Sequence, residues 1–182
     1  MKKGEWIKKD LKRTELFGKT LGIFGCGRIG TEIGMRAKSF GMKVVGYDPF
    51  LKKHKTIEII NNLDKMLPQC DYISLNTPLT DDTKGMINKS LISKMKNGVY
   101  IVNTGRGKAV VEEDIAEALK SGKIAGYGND VWYSDPPENS PLINAPNVVM
   151  TPHIGASTNE NLLRIGEIVE DLIGKYVKGK LD

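Results

Sequence analysis

Cysteine and histidine are scarce in this chain, with two of each among 182 residues. Cys26 and Cys70 give neither a disulfide framework nor metal-ligand spacing. Both are expected as free thiols in a reducing cytoplasm, and no metal site is expected. Long hydrophobic runs are also missing. No stretch approaches the ~18 apolar residues that a membrane span needs. The lysines of MKKGEWIKKD are not followed by the apolar core of a secretory leader. Internal repeats and low-complexity tracts are absent. The excess of positive charge is small and local: net +5 overall, with seven Lys/Arg against three acids in residues 1–20. A nucleic-acid binder spreads its basic residues over one face, so this segment reads as a solvated basic lead-in and no nucleic-acid partner is expected. What remains is an ordinary globular composition, 40% hydrophobic and 27% charged, of a length that suits one domain.

From Thr20 onward, short β-rich runs alternate with helical patterns. Strands are expected over 20–25, 43–48, 72–76, 99–103, 124–130 and 148–150. Helices are expected over 28–40, 63–67, 90–95, 112–121 and 158–178. Gly41 and Gly122 stand where helices should stop, and Pro68 closes the second helix. Runs such as Val99-Tyr100-Ile101-Val102 are continuous, as in strands covered on both faces. The alternation implies an α/β fold, a doubly wound parallel sheet with right-handed crossovers. The expected division is a lead-in helix or linker over 1–19 and one domain over 20–182.

Gly25-Cys26-Gly27-Arg28-Ile29-Gly30 matches G-x-G-x-x-G. The motif by itself is unspecific; between a strand and a helix it acquires meaning. Gly25 permits a tight turn, Gly27 lets backbone approach a pyrophosphate, and Gly30 lets helix and strand pack closely. The helix N-terminus then offers the N–H groups of Arg28 and Ile29 to phosphate. Asp48 ends the second strand 18 residues beyond Gly30. A carboxylate there accepts from both ribose hydroxyls and repels a 2′-phosphate, which favours NAD over NADP. The bland alternative is an Asp-Pro turn with Pro49. Cys26 sits at a helix N-terminus, where a thiol pKa tends to fall, but the reading favoured for it is a small filler of the turn rather than a redox thiol.

The segments NTPLT, YIVNTGRGKAV, AGYGNDVWYSDPP and NVVMTPHIGAST each follow a predicted strand, on the edge where doubly wound sheets bind ligands. His153 lies in the last of them; His54, in Lys52-Lys53-His54-Lys55, reads as solvated. His153 can exchange a proton near neutral pH, as alcohol oxidation requires. Arg106, between Gly105 and Gly107, suits bidentate carboxylate binding. Asp135, in a Pro-rich loop, is a candidate hydrogen-bond partner for His153; the alternative is a turn residue before Pro136-Pro137.

Taken together, ELFGKTLGIFGCGRIG, GMKVVGYDP, TPLTDDTKGMIN, VNTGRGKAVVEEDIAEALKSGKIAG and PNVVMTPHIGAST resemble the NAD-binding domain of the D-isomer-specific 2-hydroxyacid dehydrogenases, over Glu15 to about Arg164. MKKGEW and PHIGAST are most like phosphoglycerate dehydrogenases, whereas YIVNTGRGK and ALKSGKIAGYGNDVW are nearer to formate dehydrogenases. The resemblance implies a Rossmann three-layer α/β/α domain that binds NAD. It implies a catalytic group of Arg106, Asp135 and His153. His153 takes the hydroxyl proton, Arg106 holds the substrate carboxylate, and Asp135 orients His153 and stabilises its imidazolium. It further places Thr77, Pro78 and Thr83 beside the adenine end, Thr104 and Gly105 near the nicotinamide ribose, and Asp130 at the carboxamide, with His153 and Gly155 beside it. Family members usually form homodimers through this domain.

Two departures stand out. Asp135 replaces the usual Glu, one methylene shorter, so its bond to His153 is expected to be long, water-mediated or absent. The family's substrate domain, which flanks this region on both sides, is absent from these 182 residues. The chain alone is therefore expected to bind NAD but turn over little. Apolar residues that such a domain covers, Trp6, Ile7, Leu11, Leu172, Ile173 and Val177, are expected at the surface. Alternatives are a non-catalytic NAD-sensing module, like the corepressors that share this fold, and a formate dehydrogenase-type domain.

Overall fold

A computed structural model describes Gly4 and residues 14–180 of the chain. Seven parallel strands form one sheet in the order β3-β2-β1-β4-β5-β6-β7. They are β1 (Thr20–Phe24), β2 (Lys43–Tyr47), β3 (Glu58–Ile59), β4 (Tyr72–Leu75), β5 (Val99–Asn103), β6 (Ile124–Asn129) and β7 (Val148–Met150). The helices are α1 (Arg28–Ser39), α2 (Leu63–Met66), α3 (Lys89–Ser93), α4 (Glu112–Lys120) and α5 (Asn159–Val177). From β1 the chain winds outward through β2 and β3, returns to β4 on the other side, and continues to β7. This is the doubly wound parallel sheet expected from the β-α alternation, with its switch point between β1 and β4.

Alternation along the strands divides the core between the faces. Leu21 and Ile23 of β1 and Val44 of β2 pack with Ala37 of α1 and with Ile57. Phe24, Val45, Ile73, Leu75 and Ile101 point to the other face and meet Met66, Ile92 and Ile115 from α2, α3 and α4. Each fully buried side chain of this size contributes roughly 1.5–3 kcal/mol. The buried face of α1 is small: Gly30, Gly34 and Ala37. At Gly34 a Cβ would come within 3.2 Å of Ile57, so the small residues set how closely the helix lies on the sheet.

The structure departs from the sequence expectation at several points. β3 has only two residues, beside Val45 and Gly46, too short for a period-2 pattern to register. α2 ends at Met66, one residue short of the expected Leu67, and Pro68 sits in the first turn of a 3-10 turn, Leu67–Gln69, that continues from it, because proline fits a helix's first turn, where its missing N–H costs nothing. β5 is not covered on both faces: Tyr100 and Val102 remain exposed while Val99, Ile101 and Asn103 are buried. Residues 14–18 of the expected lead-in helix are not helical; the rest of it, including Trp6, Ile7 and Leu11, lies outside the described residues. Helix α5 buries none of its residues, and Leu172, Ile173 and Val177 are exposed as expected. No described helix is long and apolar enough to cross a membrane.

Glu112 is a buried acid at the start of α4. Burial raises its carboxyl pKa, the charge of Glu113 adds to that, and Ser140 opposes it only in part. A carboxyl whose folded pKa is raised stabilises the fold while protonated and loses that contribution as pH rises above the ordinary carboxylate range. Glu112→Gln should therefore raise Tm at pH 8 and change it less at pH 4, as thermal denaturation followed by circular dichroism would show.

Candidate nucleotide-binding and catalytic site

The polar segments gather at the C-terminal ends of the strands. Leaving β1, Gly25 turns with φ +83°, and a Cβ there would sit 2.9 Å from the Asn76 carbonyl oxygen. Only glycine adopts that conformation freely, and only glycine lets β1 and the end of β4 approach so closely. At Gly30 a Cβ would lie 2.2 Å from the Gly25 carbonyl oxygen, so α1 starts directly on the turn. Gly27 is the opposite case, with nothing within 4 Å of a Cβ position. Its open side faces no protein atom, and a ligand can approach the backbone there. No side chain caps α1, and its first turn carries no acid. The first intrahelical bond runs from the Thr31 N–H to the Gly27 carbonyl at 2.9 Å. The N–H groups of Arg28, Ile29 and Gly30 are thus left without intrahelical partners, a ready anion site.

Asp48 closes the turn from the side. Its Oδ2 accepts from the Cys26 N–H at 3.0 Å and its Oδ1 from the Phe50 N–H at 3.1 Å. Each oxygen keeps a second acceptor site for a hydroxyl pair. Cys26 itself behaves contrary to the helix-terminus expectation. Burial and the nearby Asp48 carboxylate push its thiol up to about 12, and a Cβ on Gly46 would lie 2.4 Å from its Sγ. It is a close-packed filler, not a reactive thiol. His54 is not simply solvated. It is half-buried, its Nδ1 accepts from the N–H groups of Thr56 and Ile57 at 3.2 Å each, and its Nε2 meets the Thr31 hydroxyl at 3.0 Å.

Between β1, β2 and β4 lies a cleft of about 180 Å³ whose lining includes Gly25, Asp48, Pro49, Thr77, Pro78 and Thr83. All six are residues expected beside a nucleotide. Tyr47, Phe50, Thr80, Asp82 and Met86 complete the lining; all but Phe50 lie inside the motifs GMKVVGYDP and TPLTDDTKGMIN, yet none is among the expected nucleotide contacts. Thr83 braces one wall by donating to the Pro78 carbonyl at 2.7 Å. The Thr77 hydroxyl is buried without a hydrogen-bond partner, which leaves a polar atom for an occupant to satisfy. Open backbone at Gly27, free helix N–H groups and an unpartnered hydroxyl all fit an adenine dinucleotide.

The second half of the site starts at β5. A Cβ on Gly105 would lie 3.0 Å from the Thr77 carbonyl oxygen, so the loop after β5 rests on the cleft wall. The Gly105 N–H donates to Asn103 Oδ1 at 3.1 Å. Thr104 and Arg106 are exposed, and the guanidinium donates to the Gly105 carbonyl at 2.8 Å.

Asp130, just after β6, organises the loop after β7. Its Oδ1 accepts from the Thr151 hydroxyl and from the Ile154 N–H, and its Oδ2 from the Gly155 N–H at 2.9 Å. Burial acts to raise its carboxyl pKa, but these bonds and nearby His153 outweigh that and hold it below the usual range. Between those anchors His153 adopts φ +57°, a left-handed conformation that costs an L-residue roughly 1–2 kcal/mol. Its Nδ1 lies 2.6 Å from Asp135 Oδ2. The shorter acid therefore does reach the imidazole directly, contrary to expectation, because the loop after β6 carries Asp135 up to the ring. Both side chains are about half exposed, at 50% and 53%.

A family described as "D-isomer specific 2-hydroxyacid dehydrogenase, NAD binding domain" matches residues 1–155. The chain belongs to that family. Among D-2-hydroxyacid dehydrogenase relatives, the D-3-phosphoglycerate dehydrogenase of Methanocaldococcus jannaschii is 42% identical over all of this chain but only 35% of its own length. The hydroxypyruvate reductase of Thermotoga maritima is 46% identical over 94% of this chain and 58% of its own length. A crystal structure of NAD-dependent formate dehydrogenase from Staphylococcus aureus in complex with NAD superposes with a TM-score of 0.87 at 35% identity, covering 98% of this chain and 55% of that one. The chain thus spans about a third to three-fifths of these relatives. The fold is that of this family's Rossmann-type NAD-binding domain.

The glycine contacts give a direct test of the turn. Gly30→Ala should cost about 1–3 kcal/mol through overpacking, read as a lower urea midpoint, because the atom it meets is backbone and cannot rotate away.

Proposed function

We propose that the chain binds NAD across the C-terminal ends of β1, β2 and β4–β7 and that, within a complete dehydrogenase, it takes part in hydride transfer between NAD and a D-2-hydroxy acid. The observation that carries this reading is the His153–Asp135 pair, 2.6 Å apart, on the same sheet edge as the uncapped glycine turn. The helix N–H groups of Arg28, Ile29 and Gly30 hold the pyrophosphate. Asp48 binds the adenosine ribose, and Pro49, Thr77, Pro78 and Thr83 line the adenine end. Thr104, Gly105 and Gly155 contact the nicotinamide half, where Asp130 Oδ2 keeps one acceptor site for a carboxamide.

Asp135 acts on Nδ1, so it selects the Nδ1–H form of His153 and leaves the Nε2 lone pair free. Nε2 takes the proton of the C2 hydroxyl during oxidation and returns it to the C2 oxygen during reduction. Asp135 stabilises the imidazolium formed in between. Arg106 holds the substrate carboxylate through its guanidinium fork and polarises the C2 oxygen. The nicotinamide, when bound, supplies the hydride acceptor or donor. His153 and Asp135 are half exposed, so a second wall is needed to exclude water, and this chain alone should turn over little. The phosphoglycerate dehydrogenase relatives make 3-phosphoglycerate the first acid to assay. We also propose a cytoplasmic homodimer, supported by the two buried free thiols and by the exposed apolar face of α5.

NADH titration followed by its fluorescence should show saturable binding, and failure to saturate would sink this proposal. Asp48→Ala should weaken NADH about tenfold, close to 1.4 kcal/mol, and narrow the preference over NADPH. In an enzyme completed with a substrate domain, His153→Gln should lower kcat by roughly 10²–10⁴-fold, measured as NADH formation from D-2-hydroxy acids.

A further inference from the structure

Three separate loops carry Arg106, Asp135 and His153, and proton transfer demands that they stay in register within a fraction of an ångström. Trp132 and Tyr133 are adjacent in sequence and lie on the Asp135 loop, yet each donates its side-chain hydrogen to a different neighbouring loop. The Trp132 indole N–H donates to the Thr151 carbonyl at 3.0 Å, two residues before His153. The Tyr133 hydroxyl donates to the Val110 carbonyl at 2.6 Å, on the segment that leaves Arg106. A third contact completes the arrangement: a Cβ on Gly107 would fall 2.2 Å from the Trp132 carbonyl carbon and oxygen. Glycine beside Arg106 therefore lets the two backbones touch.

We propose that Trp132 and Tyr133 form a clasp that positions Asp135 against His153 and keeps both in register with Arg106. Asp130 cannot do this alone. It fixes the His153 loop to the end of β6 and its own N–H donates to the Asn103 carbonyl at 3.1 Å, but none of its bonds reaches Asp135 or the two residues before it. Asp135 has no hydrogen-bond partner other than His153 among the described residues, and its side chain is half exposed. Its placement is therefore set by the backbone that carries it, and the two aromatic donors, three and two residues before it, tie that backbone down on both sides. Neither residue bonds the glycine turn or Asp48, so the clasp acts on the catalytic half of the site and leaves the adenosine half untouched. Trp132 and Tyr133 are positioning residues: they act through Asp135 and His153.

The inference rests on the His153–Asp135 pairing of the proposed function, and a tautomer measurement separates the two. The chain has only two histidines, so two-bond ¹H–¹⁵N correlations at pH 9 resolve the His153 ring, with His54→Gln to assign it. The wild-type chain should show His153 mainly in the Nδ1–H form, and Asp135→Asn should remove that preference. Trp132→Phe and Tyr133→Phe should each reduce the ratio of Nδ1–H to Nε2–H at least twofold. Affinity for ADP-ribose, which lacks the nicotinamide, should stay within twofold of wild type. Loss of fold alone would lower ADP-ribose binding in parallel, whereas the clasp predicts that the tautomer moves by itself. Should Trp132→Phe fail to fold, Tyr133→Phe carries the test, since it removes only one hydroxyl. An unchanged tautomer ratio in Tyr133→Phe, with Asp135→Asn still shifting it, overturns the clasp. An unchanged ratio in Asp135→Asn overturns the pairing itself, and with it the clasp's purpose.

Discussion

The start of α1 on the end of β1 is the contact on which the rest of the site depends. Gly30 lies so close to the Gly25 carbonyl that no side chain fits between them. That closeness directs an uncapped helix N-terminus across the seam between β1 and β4, where the winding order of the strands reverses. Unpaired N–H groups at that seam constitute a fixed positive partial charge. Asp48 then locks the turn through the Cys26 N–H, and Thr31 and His54 back it from the other side. The nucleotide half of the site is therefore mostly backbone, and its side chains serve to hold that backbone in place.

The other half is built from carboxylates that do different work. Asp130 is buried and accepts three hydrogen bonds, so it stays ionised and shapes the loop around His153. Asp135 is exposed and has one partner, the imidazole. Two aspartates five residues apart thus differ in what surrounds each: one is tied into a loop, the other meets a single imidazole. The left-handed conformation of His153 fits this division: the bonds from Ile154 and Gly155 to Asp130 offset its cost and leave the ring free to face the site.

Much of the fold was legible because its signals are local. Glycines at 25, 27 and 30 and the β-rich runs around them report a turn whose geometry depends on the absence of a Cβ, and Asp48 falls in register at the end of β2. Other features depend on partners remote in sequence. The two-residue β3 exists only because β2 offers it an edge. Cys26 is held thiol-like by burial and Asp48, although its place at a helix start suggests the reverse. Phe50 lines the cleft although no motif records it.

By itself, the sequence determined the strand–turn–helix unit and the place of a carboxylate, Asp48, at the end of the second strand. Only the tertiary structure decided that Asp135 reaches His153. Side-chain length argued that the shorter acid would fall short, but reach depends on where the backbone stands. That position is set by contacts to Val110, Thr151 and Gly107, between residues tens of positions apart. Such long-range contacts form only when the sheet assembles, and the pattern along the chain carries no local trace of them.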